Sequence, residues 1–172
     1  MTFTKKGVVI NLGAGGAVDD DHVFSPSIIY RNGLFWLYYS GYDGTSHRIC
    51  LAISPDGLTF TKKGVVIDLG AGGAADDVDV YNPSVIYRNR LFWLYYGGND
   101  GTNVRVCLAI SPDGLTFTKK GAVIDLGAGG AADNVNVYNP SVIYRNGLFW
   151  LYYGGYDGTN HRICLAISPD GF

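Results

Sequence analysis

The sequence contains no glutamate, so all of its side-chain carboxylic acids belong to aspartates. Long apolar runs are also missing, and none approaches the roughly 20 residues that a membrane-spanning helix requires. The amino-terminal residues lack the apolar stretch of a signal peptide. We therefore expect no membrane partner.

Charged residues are few, at 16% of the chain, and the formal net charge is only −2 with a pI near 5.8. Such a chain lacks the basic surface typical of nucleic acid binding, so we expect no nucleic acid partner. The basic residues cluster only in three lysine pairs, Lys5-Lys6, Lys62-Lys63 and Lys119-Lys120. We interpret these pairs as solvated lysines that protect strand edges from aggregation.

The chain consists of three nearly identical repeats of 57 residues. Trp36, Trp93 and Trp150, for example, are separated by this interval. A similarity this close indicates recent duplication or deliberate construction, and a long fixed period is typical of repeat architectures such as propellers. We treat residues 1–172 as a single domain whose repeats occupy residues 2–58, 59–115 and 116–172.

Cysteine is scarce, with one residue at the same position of each repeat: Cys50, Cys107 and Cys164. Equivalent positions in neighbouring repeats are expected to lie too far apart for a disulfide. We interpret the three thiols as reduced core residues, and from this we expect a cytoplasmic location.

Each repeat predicts four β-strands. In the second repeat these are residues 80–87, 91–96, 105–110 and 115–120, the last with a continuation to residue 124 left open. Turn sequences separate the strands, and the first turn reads Asn-Gly in the outer repeats. Arg90 replaces that glycine in the second repeat, where it should make the turn less favourable because both turn residues need a positive φ.

The strand at residues 91–96 is apolar on both faces, so it must be covered on both sides. Stacked propeller blades provide such cover. Pro26, Pro83 and Pro140 lie within the first strand of each repeat, and proline is tolerated only on an edge strand, such as the one that lines a propeller channel. We predict an all-β propeller built from three four-stranded blades per chain, with an all-β solenoid as the competing fold.

Antiparallel strands alternate in direction, so the glycine-rich crossovers and the turns between second and third strands share one end of the blades, here called the crossover face. Positions that differ among the repeats lie there: His22, Asp79 and Asn136; Ser25, Asn82 and Asn139; Tyr42, Asn99 and Tyr156; His47, Val104 and His161. Aspartates of the crossovers are expected beside them: Asp19, Asp76 and Asp133. Carboxylates, amides and aromatic rings suit a carbohydrate, although turn aspartates and core tyrosines explain the same residues without any ligand.

Three segments of each repeat resemble a blade of the five-bladed glycosidase-type propellers. In the third repeat they read Asn-Pro-Ser-Val-Ile-Tyr, Leu-Phe-Trp-Leu-Tyr-Tyr-Gly-Gly and Arg-Ile-Cys-Leu-Ala-Ile-Ser-Pro-Asp-Gly. These propellers include the arabinanase and xylosidase group, the invertase and levansucrase group, and the mannoside phosphorylases. The resemblance is more specific for the type of blade than for any one activity.

The resemblance also implies functional positions. In those hydrolases a carboxylate typically precedes the first-strand proline of some blades. The matching residues here are Ser25, Asn82 and Asn139. None is a carboxylate, and the glutamate that donates a proton in the arabinanase group has no counterpart. The mannoside phosphorylases have an aspartate after Tyr-Tyr-Gly. The residues that correspond to it are Asp43, Asp100 and Asp157, each of which also begins an Asp-Gly turn.

Hydrolysis of a glycosidic bond needs two carboxylic acids in different protonation states, whereas near-identical blades supply near-identical surroundings. We therefore favour a non-catalytic propeller without metal or cofactor, either a carbohydrate-binding module or a scaffold. The alternative is a glycoside hydrolase or phosphorylase-like enzyme acting on oligosaccharides, in which Asp79 acts with Asp100 or Asp43. The candidate ligand-binding residues are Asp43, Asp79, Tyr81, Asn82, Asp100, Tyr138, Asn139, Asp157 and His161.

Three blades are too few for a closed ring, since propellers have about four to eight. An open stack would expose apolar blade faces that carry residues such as Phe35, Trp36 and Tyr152. The amino-terminal residues 2–6 repeat a fourth-strand sequence, so the strand of one copy is expected to complete the last blade of another. We expect a six-bladed homodimer. A five-bladed ring that leaves one repeat out, and a chain that is part of a longer propeller, are the alternatives.

Overall fold

The computed structural model describes residues 2–172. Within those residues the fold is all-β, with eleven strands and no helix, and so no segment there is a candidate membrane-spanning helix. The strands are β1 (His22–Arg31), β2 (Leu34–Tyr42), β3 (His47–Ser54), β4 (Thr61–Ile67), β5 (Asp79–Arg88), β6 (Leu91–Asn99), β7 (Val104–Ser111), β8 (Thr118–Ile124), β9 (Asn136–Arg145), β10 (Leu148–Tyr156) and β11 (His161–Ser168).

The strands form three antiparallel sheets, which we call blades 1, 2 and 3. Their strand orders are β1-β2-β3-β4, β5-β6-β7-β8 and β9-β10-β11. β4 and β8 are supplied by the repeat that follows, so each of the first two blades spans a repeat boundary. Blade 3 has three strands among the described residues instead of the predicted four, because the remaining copy of the fourth-strand sequence, residues 4–10, lies unpaired ahead of blade 1.

The predicted start of the fourth strand was wrong by three residues. Residues 115–117 belong to the preceding turn, and β8 runs from Thr118 to Ile124. The carboxylate of Asp113 accepts hydrogen bonds from the backbone N–H groups of Leu115 and Thr116, at 2.8 and 2.9 Å. These bonds hold the chain in a turn before it can join the sheet.

The hairpin between the first and second strands has the predicted geometry. Both central residues have positive φ in every blade, with Asn146 at 52° and Gly147 at 85° in blade 3. Arg90 occupies the glycine position in blade 2 and is held at a φ of 64°. A residue with a Cβ is strained there, as the sequence predicted.

The proline of each first strand lies at a β-bulge on the sheet edge. In blade 1 the pairing register shifts between Phe24 and Ser27, on either side of Pro26. The residues that precede the three prolines have positive φ: Ser25 at 49°, Asn82 at 53° and Asn139 at 51°. β1, β5 and β9 lie side by side, so the bulges bring these three residues together.

The core lies between the blades. On one side of the first boundary are Tyr38, Ile49 and Leu51, and on the other are Val85 and Phe92. The second boundary repeats this packing with the equivalent residues Tyr95, Val106 and Leu108 against Val142 and Phe149. Each blade is thus apolar on two faces, as its sequence predicted. On the outer face of blade 1, Tyr39, Cys50 and Ala52 are also buried, and Ile10 and Val18 from the segments ahead of β1 pack against them.

The cysteines are free thiols, as predicted, and two of them are buried. Burial raises the pKa of both Cys50 and Cys107 to about 12, so these thiols stay protonated at neutral pH. A buried protonated thiol is a core residue rather than a nucleophile or a metal ligand.

Candidate functional site

The repeat positions that differ in sequence align across the strand ends at the crossover face. In each blade, one such residue from each of the first three strands lies in register with the others: His22, Tyr42 and His47; Asp79, Asn99 and Val104; Asn136, Tyr156 and His161. The predicted sharing of one face is therefore correct. The repeats also differ outside this row, for example at Arg90 in a hairpin turn and at Ile28 in a first strand.

Asp79 is the one carboxylate in this row, and it lies at the boundary between blades 1 and 2. Its Oδ1 accepts a hydrogen bond from the backbone N–H of His47 at 2.8 Å and lies 2.9 Å from His47 Nδ1. Its Oδ2 accepts a hydrogen bond from Asn99 Nδ2 at 3.1 Å. Only 17% of the Asp79 side chain is exposed, so the pair is partly shielded from solvent.

Aromatic rings surround the His47 imidazole. The ring of Tyr42 stacks on it with centroids 4.4 Å apart, and Phe24 and Tyr81 approach edge-on at 5.5 and 5.6 Å. Burial raises the pKa of Tyr81 to about 12, so its hydroxyl remains a neutral hydrogen-bonding group. A carboxylate, an imidazole and ring faces in one cluster can hold a sugar by its hydroxyls and its C–H face.

The amides beside the prolines form a second polar group, close to Asp79 along β5. Ser25 Oγ donates to Asn82 Oδ1 at 2.6 Å, and Asn82 Nδ2 donates to Asn139 Oδ1. With the three prolines, these side chains line an open cavity of about 230 Å³. They offer donors and acceptors to a ligand but no carboxylate, so they cannot supply acid or base.

Asp43, Asp100 and Asp157 hold turns. Asp43 Oδ1 accepts hydrogen bonds from the backbone N–H groups of Thr45 and Ser46, both at 2.9 Å, and Oδ2 lies 2.7 Å from Arg48 Nη1. The backbone donors, with Ser46 first, and Arg48 hold the pKa of Asp43 below its usual range. Asp100 and Asp157 have equivalent bonds and lowered pKa values. This is the turn role that the sequence left open, and an ionised carboxylate of this kind is a poor proton donor.

Two of the crossover aspartates, Asp19 and Asp76, do not line the face as the sequence suggested. Asp19 is only 4% exposed, and its Oδ2 accepts hydrogen bonds from Tyr39 Oη at 2.7 Å and from Lys62 Nζ at 2.6 Å. Asp76 has the equivalent contacts with Tyr96 and Lys119. The sequence signal for these ion pairs is the lysine that recurs every 57 residues, which from the sequence alone we assign to a solvated strand edge. These aspartates tie each crossover to its blade.

The third copy of the row lies on the open side of blade 3. His161 stacks on Tyr156 with centroids 4.5 Å apart, and its Nδ1 is hydrogen-bonded to Tyr138 Oη. His161 and Tyr138, together with Asn139, border a cavity of about 280 Å³. In blade 1 the corresponding histidine, His47, is instead held by an aspartate of the neighbouring blade.

The sequence model described as β-1,4-mannooligosaccharide phosphorylase, which is glycoside hydrolase family 130, matches residues 72–170. That match covers more than half of the chain. The chain belongs to this family. The expected resemblance to glycosidase-type propellers is therefore confirmed, and the mannoside phosphorylases are the group within it to which the sequence is matched.

Other proteins are also similar to this family 130 chain. A 1,2-β-oligomannan phosphorylase of Thermoanaerobacter sp. (strain X514) is 26% identical over 114 residues, which are 60% of this chain and 38% of that protein. A family 117 glycoside hydrolase from the marine bacterium Zobellia galactanivorans superposes with a TM-score of 0.79 at 23% identity, over 87% of this chain and 53% of that one. Sucrose-6-phosphate hydrolase from Lactobacillus gasseri superposes with a TM-score of 0.73 at 20% identity, over 86% of this chain and 32% of that one.

These similarities establish a glycosidase-type propeller fold for the three blades. At such low identity the solved structures show the fold alone. The chain spans about half the length, or less, of the relatives it matches.

Proposed function

We propose that this chain acts on oligosaccharides at the crossover face, by phosphorolysis of a glycosidic bond with Asp79 as proton donor. Family membership supports the enzyme hypothesis over the non-catalytic module that the sequence alone favoured, because the similar proteins are glycoside hydrolases and phosphorylases. The observation that carries the proposal is the partly buried pair of Asp79 and His47 among aromatic rings.

The number of available carboxylates favours phosphorolysis over hydrolysis. Hydrolysis requires one carboxyl group to protonate the leaving oxygen and a second one to activate water or to attack the sugar. Phosphate is itself the nucleophile, so phosphorolysis needs only the proton donor. The structure provides one shielded carboxylate in the row, and one of its side-chain partners is a histidine, which can carry a proton to and from it. Asp43 and its equivalents are instead bound by turn N–H groups and by an arginine, which keeps its proton.

In this reaction the bond between C1 and the glycosidic oxygen breaks, and a bond from a phosphate oxygen to C1 forms. The proton on Asp79 goes to the departing sugar oxygen, and hydrogen phosphate supplies the proton that restores the acid. The products are a sugar 1-phosphate and an oligosaccharide shorter by one unit. His47 shares a hydrogen bond with Asp79, so the pair can hold and pass on one proton.

The remaining residues bind and orient the sugar. Tyr42 and Tyr81 border the imidazole and present ring surface to a C–H face. Asn82 and Asn139 present amide groups to hydroxyls from the adjacent cavity. Asn99 fixes the second oxygen of Asp79, which leaves the carboxyl in one orientation.

The test is an assay for sugar 1-phosphate released from manno-oligosaccharides by inorganic phosphate, repeated with Asp79→Asn. We expect turnover in the wild type and a loss of roughly 100-fold or more in the variant, since a positioned acid contributes about 10²–10⁴-fold. The variant should fold, because Asn136 occupies the equivalent site in blade 3 and accepts the backbone N–H of Val104 at 2.7 Å. Unchanged turnover in Asp79→Asn would exclude this role for the residue.

A matched control is Asp21→Asn, which removes an exposed carboxylate from the same end of a neighbouring blade. Its turnover should equal that of the wild type. Sugar release that continues without phosphate indicates hydrolysis and contradicts the proposed reaction.

One set of observations favours a second candidate, a carbohydrate-binding propeller without turnover. The three residues before the prolines, Ser25, Asn82 and Asn139, include no carboxylate, although this is where the related hydrolases typically have one. The test is calorimetric titration of the wild type and of Asn82→Ala with manno-oligosaccharides. Binding that is lost in the variant, together with no turnover by the wild type, would establish this candidate instead.

A further inference from the structure

Blade 3 leaves its outer apolar face uncovered. We call this the tail face and define it by Tyr152, Ile163 and Leu165. Ile163 is 81% exposed and Leu165 is 43% exposed. Their equivalents in blade 1, Ile49 and Leu51, are fully buried against blade 2. The same side chains therefore change from core to surface only because no neighbour covers them.

Blade 1 leaves part of its opposite face uncovered, beside the residues Tyr39, Cys50 and Ala52 that the segments ahead of β1 bury. This is the head face, defined by Ile28, Tyr30 and Phe35. Ile28 is 51% exposed, whereas its equivalents Val85 and Val142 are each 6% exposed at the two boundaries inside the chain. Apolar surface of this extent at both ends of the stack is typical of an association site.

The two faces are the two halves of an interface that the chain already forms twice. At the first boundary the equivalents of the tail face pack on the equivalents of the head face, and the second boundary repeats this. Side-chain polarity is therefore already matched between the tail face and the head face, and the main difference in size is at Ile28, which is valine at both internal boundaries. A second copy of this chain is the partner that presents both.

The outer edge of β11 points to the same partner. In blade 1, β3 pairs with β4, whose sequence is Thr-Lys-Lys-Gly-Val-Val-Ile. Residues 4–10 have the same sequence, yet they form no strand here, and Val8 is 79% exposed. β11 has no partner on its outer side among the described residues. The chain thus has both an unpaired copy of the fourth-strand sequence and an unpaired third-strand edge of the kind that this sequence pairs with.

A partly buried carboxylate in blade 3, Asp133, indicates the register. Asp19 and Asp76 are each bound by the lysine of the fourth strand in their own blade, Lys62 and Lys119. Asp133 accepts a hydrogen bond from Tyr153 Oη at 2.8 Å but, within residues 2–172, has no lysine beside it. The repeat unit places that lysine at Lys5, in the unpaired segment.

We propose that two copies of this chain close a six-bladed ring. Residues 4–10 of each copy add to β11 of the other, the head face packs on the tail face at two equivalent junctions, and Lys5 of one copy binds Asp133 of the other. Six blades lie within the usual range of about four to eight for closed propellers. The proposal rests on packing, strand pairing and one ion pair, and it is independent of the reaction proposed above.

The first experiment measures molar mass by light scattering over a range of dilutions, with Lys5→Ala and Lys6→Ala as variants. The wild type should have twice the chain mass of 18.6 kDa. Lys5→Ala should raise the dimer dissociation constant by about tenfold or more, because it leaves a buried carboxylate unpaired. Lys6→Ala is the matched control, since its equivalent Lys63 is exposed, and it should have no effect. A wild type that stays at 18.6 kDa overturns the proposal.

The second experiment cross-links the junction. His47 and Asp79 touch across the first boundary, so the repeat unit places His161 of one copy against His22 of the other. The double variant His161→Cys with His22→Cys should form a covalent dimer with a short bismaleimide and consume both introduced thiols. The matched control, His47→Cys with Asp79→Cys, should form a link within one chain and keep the monomer mass.

The absence of the covalent dimer overturns the proposal. So does a dimer in which half of the introduced thiols remain free, because that result indicates a single junction and a ring that leaves one repeat out.

Discussion

The middle blade and the two outer blades have nearly the same sequence but different surroundings. Phe92 in blade 2 is fully buried, whereas its equivalent Phe35 in blade 1 is partly exposed. Leu108 in blade 2 is fully buried, whereas Leu165 in blade 3 is not. The comparison teaches that the repeat encodes the sheet, while burial of its two faces depends on a neighbour on each side.

The same comparison separates structural from functional residues at the crossover face. Turn aspartates such as Asp43 and Asp100 make the same bonds in every blade, because the turn itself requires them. Asp79 and Asn136 occupy one position, and both accept a backbone N–H from the preceding blade. Only Asp79 adds a carboxylate beside a histidine, so the difference between these blades is chemical rather than architectural.

The largest effect on stability is expected from replacing the same leucine of the repeat in the middle blade and in an outer blade. Leu108→Ala should lower the free energy of unfolding by about 2–5 kcal/mol, because it leaves a cavity between blades 2 and 3. Leu165→Ala, measured by urea unfolding at a dilution where the chain is monomeric, should lower it by less than about 1 kcal/mol. Equal costs at both positions would contradict the distinction between middle and outer blades. A cost for Leu165→Ala that grows with protein concentration would show that a second copy covers the tail face.

A smaller effect is expected from exchanging one turn residue between blades. Arg90→Gly should raise the free energy of unfolding by about 1 kcal/mol, because it relieves a side chain held in the left-handed region. Gly147→Arg should lower it by a similar amount in blade 3. Thermal and urea unfolding of both variants test this, and an Arg90→Gly variant no more stable than the wild type would contradict it.

The smallest effect concerns pH and the turn after the third strand. Backbone N–H groups of Thr59 and then Leu58, together with Ser54, lower the pKa of Asp56 to about 2. A carboxyl whose pKa is lower in the folded state than in the unfolded state stabilises the fold above the unfolded pKa of about 4, and that contribution is lost as pH falls towards 2. Asp56→Asn should therefore weaken the dependence of the melting temperature on pH between about 4 and 2. An unchanged dependence would be the contrary result.

Much of the fold could be predicted from the sequence, since it rests on local rules. The Asn-Gly turns, the edge position of Pro83 and the double-sided apolar strand at residues 91–96 all followed from residue types and spacing. The start of the fourth strand did not. The carboxylate of Asp113 competes with the sheet for the backbone of Leu115, and propensity alone does not decide such a competition.

The candidate site was less predictable, because its contacts join residues from different blades. Asp79 stands out in the sequence as a position that differs among the repeats, but its partner His47 lies 32 residues earlier, across a blade boundary. Asp19 was expected on the crossover face and is instead buried under the crossover, bound to Lys62.

By itself, the sequence determined the repeat, the strands and turns, the free thiols and the end of the blades at which the repeats differ. These properties depend on neighbours along the chain, on side-chain alternation and on the φ values that each residue tolerates. Only the tertiary structure decided which aspartates close turns, which are buried with a lysine, and which one meets a histidine of another blade. Those roles depend on how twisted sheets stack, because stacking sets the distance between residues that are remote in the chain and the extent to which water is excluded from them.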